Sequence, residues 1–112
     1  MRLDERSVVA HVERLTMREL RLWVREGWVR PADSESGPVF DELDVARIRL
    51  LCDLRKEMAL PASAVPPVLT LIDQLHRARR DLRRIAEALD EQPPDIRRTV
   101  LASFKGRMSR ED

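Results

Sequence analysis

The sequence predicts an all-α protein with one small β-hairpin set into it and one long helix towards its C-terminal end. Three observations carry this. Thr-Met-Arg-Glu at 16–19 has the spacing of a capping box and follows an apolar helical stripe. The stretch EGWVRPADSESGPVF, residues 26–40, sets turn residues between two short apolar pieces. Residues 68–89 carry apolar side chains at strictly alternating spacings of three and four.

Taken in order, Ser7 is placed to cap a short first helix whose stripe is Val8, Val9, Val12 and Leu15. Thr16 and Glu19 open a second helix carrying Leu20, Trp23 and Val24, and Gly27 ends it. Two short helices joined by a tight turn make a helix-turn-helix. Trp28-Val29 and Pro38-Val39-Phe40 then read as the two arms of a hairpin, a wing, with Pro31, Ser34, Ser36 and Gly37 between them. So small a hairpin buries nothing alone, so Val29 and Phe40 are expected to pack on the helices. A helical pattern follows from Asp41 to Met58, with Val45, Ile48, Leu51, Cys52 and Leu54 inward.

Pro61 breaks that pattern, and the next helix is expected to start near Ala62 or Ser63 and run to about Leu89. Pro66 and Pro67 are compatible with it only in its first turn, where backbone N–H groups lack helical partners. Val68, Leu71, Leu75, Ala78, Leu82, Ile85 and Leu89 form an a/d seam over about three heptads. Val65, Leu69 and Ile72 make a second apolar face at its beginning. A helix with two such faces needs two partners, here the winged part and a second chain. Residues 64–89 are therefore expected to hold a homodimer. Pro93-Pro94 end the helix, Asp95 to Phe104 form a short one, and residues 105–112 fray. The expected organisation is a winged helix-turn-helix part at 1–60, a long coiled-coil helix at 61–92, and a short C-terminal helix and tail at 93–112.

Composition narrows the function. Of the 112 residues, 43% are hydrophobic and 37% charged, which suits a small helical domain with a salt-laced surface. The net charge is only +1, but residues 1–44 hold 7 Arg against 10 acids, and the remainder is mildly basic. Aromatics are 4% with no Tyr, against a stacking platform for single strands. Cys52 is the only cysteine, so no internal disulfide forms, and its place on an apolar stripe makes it a small core hydrophobe. His11 and His76 have no ligand-spaced companions, so no metal and no cofactor are expected. No phosphate loop, nucleophile elbow or paired acids of a cleft occur, and no enzymatic activity is expected. The start MRLDERS has no apolar h-region and no apolar run reaches about 18 residues, so a cytoplasmic location without membrane insertion is expected.

In TMRELRLWVREGWVRP and SGPVFDELDVARIRLLCDLRKEMAL the chain resembles the MerR type of winged helix-turn-helix, over about residues 5–90. GWVRP at 27–31, VFDELDVARI at 39–48, LRKEMAL at 54–60 and above all LTLID at 69–73 are more closely similar to the CbpM chaperone-modulator branch. That resemblance implies a MerR-like fold dimerised by its long helix. It also implies a non-enzymatic protein that binds the J domain of a DnaJ-like, CbpA-type co-chaperone and blocks its stimulation of DnaK. The MerR resemblance alone implies the alternative, a transcriptional regulator at the nucleoid. MerR-type metal sensors use cysteines near the ends of the dimer helix, and none stands there in this chain.

The charges bear on both readings. A DNA-reading winged helix inserts its second helix in the major groove and grips phosphates with its wing. Arg18, Arg21 and Arg25 are the candidates on the second helix, although they read first as a solvated face interspersed with Glu19 and Glu26. The wing tip, Ala32 to Ser36, holds two carboxylates and no base, and MerR-type wings usually carry Arg where this chain has Val39. A cationic J-domain surface suits the acidic candidates Asp33, Glu35, Asp41, Glu42 and Asp44 instead, although the last three also suit a helix N-terminus. The run HRARRDLRR at 76–84 is the most basic feature, and reads first as a coiled-coil exterior.

Overall fold

The computed structural model describes residues 2–111, and the chain divides into two compact units, Met1–Thr70 and Leu71–Asp112. In the first unit α1 (Glu5–His11) and α2 (Met17–Arg25) form the helix-turn-helix. Strands β1 (Ala32–Ser34) and β2 (Gly37–Val39) form the wing, and α3 (Glu42–Cys52) follows. A π-helical turn (Asp53–Glu57) and a 3-10 turn (Ala62–Ala64) lead into α4 (Val65–Asp90), whose first residues belong to this unit. The rest of α4 and α5 (Pro94–Glu111) make the second unit. The architecture is the expected all-α winged helix-turn-helix with a small hairpin and a long helix.

Each helix start has a chemical cause. Asp4, not Ser7, caps α1: the Ser7 backbone N–H donates to Asp4 Oδ1 at 2.8 Å. Ser7 lies three residues inside, where its own N–H is the orphan to be satisfied. Hydrogen bonding from Ser7, its side chain first and its backbone N–H second, holds the Asp4 carboxyl below its ordinary range. At α2 the capping box closes, with Glu19 N–H donating to Thr16 Oγ1 at 3.2 Å and Thr16 N–H to Glu19 Oε1 at 3.0 Å. Asp41 and Asp44 make a second box at α3, at 2.8 and 3.0 Å.

α2 ends in a Schellman closure. Gly27 sits at φ +79, its N–H donates to the Val24 carbonyl at 3.0 Å, and the Trp28 N–H reaches the Trp23 carbonyl at 2.9 Å. The Val29 N–H shares that acceptor at 3.3 Å. Trp28 and Val29 therefore spend their donors on the helix end and do not form a hairpin arm. The strands lie further out, paired Ala32 with Val39, Asp33 with Pro38 and Ser34 with Gly37 around Glu35-Ser36. Phe40 pairs instead with Leu3, exchanging two 2.8 Å backbone bonds, so the N-terminal residues clamp the base of the wing.

The core lies wholly in the first unit. Val8, Leu20, Trp23, Val29, Phe40, Ile48, Leu51 and Cys52 are essentially inaccessible, and no polar or charged residue is buried among the described residues. Val29 and Phe40 thus pack as expected. The Cys52 thiol is buried and its pKa is pushed up by that burial. α3 does not run regularly to Met58. The wider π turn shifts the register after Cys52, so that Leu54 is buried while Met58 is exposed. The turn closes with Ala59 at φ 52 and with the Leu60 N–H on the Leu54 carbonyl at 2.8 Å. Pro66 and Pro67 fall in the first turn of α4, and Val65 and Leu69 on its second face are buried.

The second unit has no buried residue among those described. α5 runs to Glu111, well past the Phe104 end expected from sequence. Pro94 starts it with a pre-set φ, Asp95 lies in its first turn, and after them only Gly106 weakens the run, without breaking it. No helix among the described residues is long and apolar enough to cross a membrane.

Candidate partner-binding surfaces

Three groups of side chains bear on binding, and the structure separates them. The first is the wing with the start of α3. Asp33 and Glu35 are exposed on β1 and in the tight turn. The Ser34 hydroxyl donates to the Gly37 carbonyl at 2.6 Å and holds the loop that displays them. Glu42 is exposed on the first turn of α3. Among the described residues none of these three carboxylates forms an ion pair.

Asp41 and Asp44 are engaged differently, each serving the other's backbone in the capping box. Hydrogen bonding from Asp44 lowers the Asp41 pKa, while burial, with the Asp41 charge beside it, raises that of Asp44. Both line a depression of about 230 Å³ with Arg2, Arg30, Ala32 and Val39. Arg30 Nε donates to the Gly27 carbonyl at 3.3 Å, so it is tied to the helix end and not to the wing tip.

Leu43 escaped the reading of the sequence. It lies between Glu42 and Asp44 and is 81% exposed. The signal was present: Val45 and Ile48 define the inward face of α3, and Leu43 is off it. An exposed large apolar residue ringed by carboxylates is the composition of a protein-binding patch with a polar rim.

The second group lies on α2. Arg18 and Arg25 are exposed and form no ion pair among the described residues. Arg21 is spoken for, with Nε 3.0 Å from Glu5 Oε2. Also unforeseen was the cluster behind this helix. Arg14 spans Asp53 at 2.8 Å and Glu57 at 3.0 Å, which raises its own pKa. Lys56 lies 2.8 Å from Glu19 and also donates to the Arg14 carbonyl. The cluster ties the helix-turn-helix to the π turn, and only a fold that brings residues 14–19 beside 53–57 reveals it.

The third group is the seam of α4. Leu71, Leu75, Leu82 and Ile85 are exposed by 63, 50, 66 and 64%, Ala78 is exposed, and Val68 and Leu89 are half-buried. An uncovered row of large aliphatics along one side of a helix is the kind of surface that marks an interaction site. No group of His, Cys, Asp and Glu among the described residues has the arrangement of a metal site.

A family model described as MerR HTH family regulatory protein matches residues 4–64, which takes in both helices of the helix-turn-helix, the wing, α3 and the π turn. No curated protein and no solved structure matches the chain.

Proposed function

The chain belongs to the MerR helix-turn-helix regulatory family, and from that premise we propose that it regulates by protein contact: it binds the J domain of a DnaJ-like, CbpA-type co-chaperone and inhibits its stimulation of DnaK. The observation that supports this reading is the acidic wing. Asp33 and Glu35 stand exposed without a cation, and the wing from Ala32 to Val39 contains no base. Such a wing repels a phosphate backbone and attracts a cationic protein surface. Leu43, between acids at the start of α3, supplies the apolar anchor that a charged patch alone lacks. The LTLID and LRKEMAL stretches, through which the chain resembles the CbpM branch, point the same way. In this reading the active species is a homodimer joined along α4 through Val68, Leu71, Leu75, Ala78, Leu82, Ile85 and Leu89. The 1–60, 61–92 and 93–112 segments then divide contact, dimerisation and tail.

A second reading has one observation of its own. Arg18 and Arg25 are exposed and unpaired on the helix that a MerR-type regulator lays in the major groove. In that reading the chain is a DNA-binding transcriptional regulator.

Calorimetric titration with a J domain from the same cell separates the two. Binding in the micromolar range or tighter, weakened at least tenfold by the pair Asp33→Lys and Glu35→Lys and by Leu43→Ala, is the expected result. No binding to any J domain, together with a sequence-specific gel shift abolished by Arg18→Ala and Arg25→Ala, would establish the regulator instead.

A further inference from the structure

The arginine run of α4 is used by neither the wing surface nor the seam. At about 100° per residue, Arg77, Arg80 and Arg84 project roughly opposite the seam residues Leu71, Leu75 and Leu82, and Arg83 lies beside them. The four side chains succeed one another along one side of the helix, neighbours three or four residues apart lying about 5–6 Å from each other. All are exposed. Arg77, Arg80 and Arg83 form no ion pair among the described residues. Arg84 has only a 3.7 Å approach to Asp81, with side chains 76% and 59% exposed, which neutralises little.

We propose that Arg77, Arg80, Arg83 and Arg84 form a contact surface for the phosphate backbone of duplex nucleic acid, read without regard to sequence and independent of α2 and the wing. Facing away from the seam, the surface stays open when a second chain covers Leu71 to Ile85. Its makeup selects the partner. Between His76 and Glu87 this side of α4 carries no aromatic or large aliphatic residue, so it lacks the apolar anchor on which protein interfaces depend. A row of guanidinium groups draws its affinity for a polyanion from released counterions and needs no anchor.

The test uses the full-length chain and a fluorescent duplex of scrambled sequence, about 30 base pairs long, with anisotropy followed across a salt series. The triple variant Arg77→Ala, Arg80→Ala and Arg84→Ala is expected to lose at least tenfold in affinity at low salt. Its log-affinity against log-salt slope should shrink by about 0.9 per lost phosphate contact. Arg107→Ala with Arg110→Ala, which removes two exposed charges from α5, should leave both quantities unchanged. Glu87→Gln removes a carboxylate from the same side and should tighten binding about twofold, a gain that misfolding cannot mimic. An unchanged slope in the triple variant overturns the proposal, as does equal loss in the Arg107→Ala with Arg110→Ala variant. Displacement of the duplex by polyglutamate as readily as by a second duplex would show a taste for acidic protein, and overturns it too. J-domain titration of the triple variant stands apart from these outcomes, since its contacts lie between residues 33 and 44.

Discussion

The Lys56 ammonium lies 2.8 Å from the Glu19 carboxylate, the same group that closes the capping box at the start of α2. One carboxylate thus starts a helix and fastens it to the π turn beyond α3. Burial alone would raise the Glu19 pKa, but the Lys56 ammonium and the Thr16 donors hold it below its ordinary 4.5. A carboxyl whose pKa is lower folded than unfolded stabilises the fold above its unfolded value, and that contribution disappears as the pH falls through the folded value. Asp4 and Asp41 act in the same direction, and Asp44, whose pKa is raised, acts against them. Denaturant midpoints should therefore be flat from about pH 6 to 8 and fall below about pH 4.5. Glu19→Gln should cost about 1 kcal/mol at neutral pH and flatten the acid limb.

Two residues with positive φ predict opposite results for opposite substitutions. Gly27 sits at φ +79 with open space where a Cβ would lie, so Gly27→Ala is penalised by backbone conformation alone, by about 1–2 kcal/mol in chemical unfolding. Ala59 holds φ 52, a left-handed conformation that glycine adopts freely. Ala59→Gly should therefore be neutral or stabilising by up to about 1 kcal/mol, whereas Ala102→Gly within α5 should lower helix content.

The seam makes a prediction about assembly. Leu75 and Leu82 are half or more exposed in one chain, so replacing them removes little from the core of that chain. Leu75→Asp with Leu82→Asp should give a monomer by light scattering, with the near-ultraviolet signal of Trp23 and Trp28 retained. A dimer of normal mass would exclude the seam as the interface.

Cys52 should be chemically silent. It is fully buried, and burial raises its pKa, so little thiolate forms and little reagent reaches it. A thiol-reactive dye should label it only at the rate of unfolding, and Cys52→Ser should destabilise by about 1–3 kcal/mol through an unpaired buried hydroxyl.

What could be read in the one-dimensional chain was local. Thr16 and Glu19, Asp41 and Asp44, and Pro66 with Pro67 act within one turn of helix, so spacing suffices to place them. The core stripes of α2 and α3 followed from period alone, and so did the second face of α4 at Val65 and Leu69. Where the reading of the chain erred, a competing bond intervened or an expected stop was absent. Ser7 gave way to Asp4 as the cap, the Schellman closure withdrew Trp28 and Val29 from the hairpin, and α5 continued past Phe104 because nothing in the sequence stops it.

Of the acidic candidates, their exposure on the wing was legible, since a tight turn between short strands presents its polar residues to water. Leu43 was missed because its neighbours drew attention to charge, although its place off the α3 stripe was visible.

Sequence by itself determined the order of helices and hairpin, the capping box that starts α2, and the acidic character of the wing. These depend on interactions within a few residues and on periodicity. Only the tertiary structure decided that Leu3 clamps Phe40 and that Arg14 and Glu19 fasten onto the π turn, while no distant cation among the described residues reaches Asp33, Glu35 or Glu42. Those outcomes depend on which distant groups the fold brings within 3 Å, and no spacing along the chain encodes that.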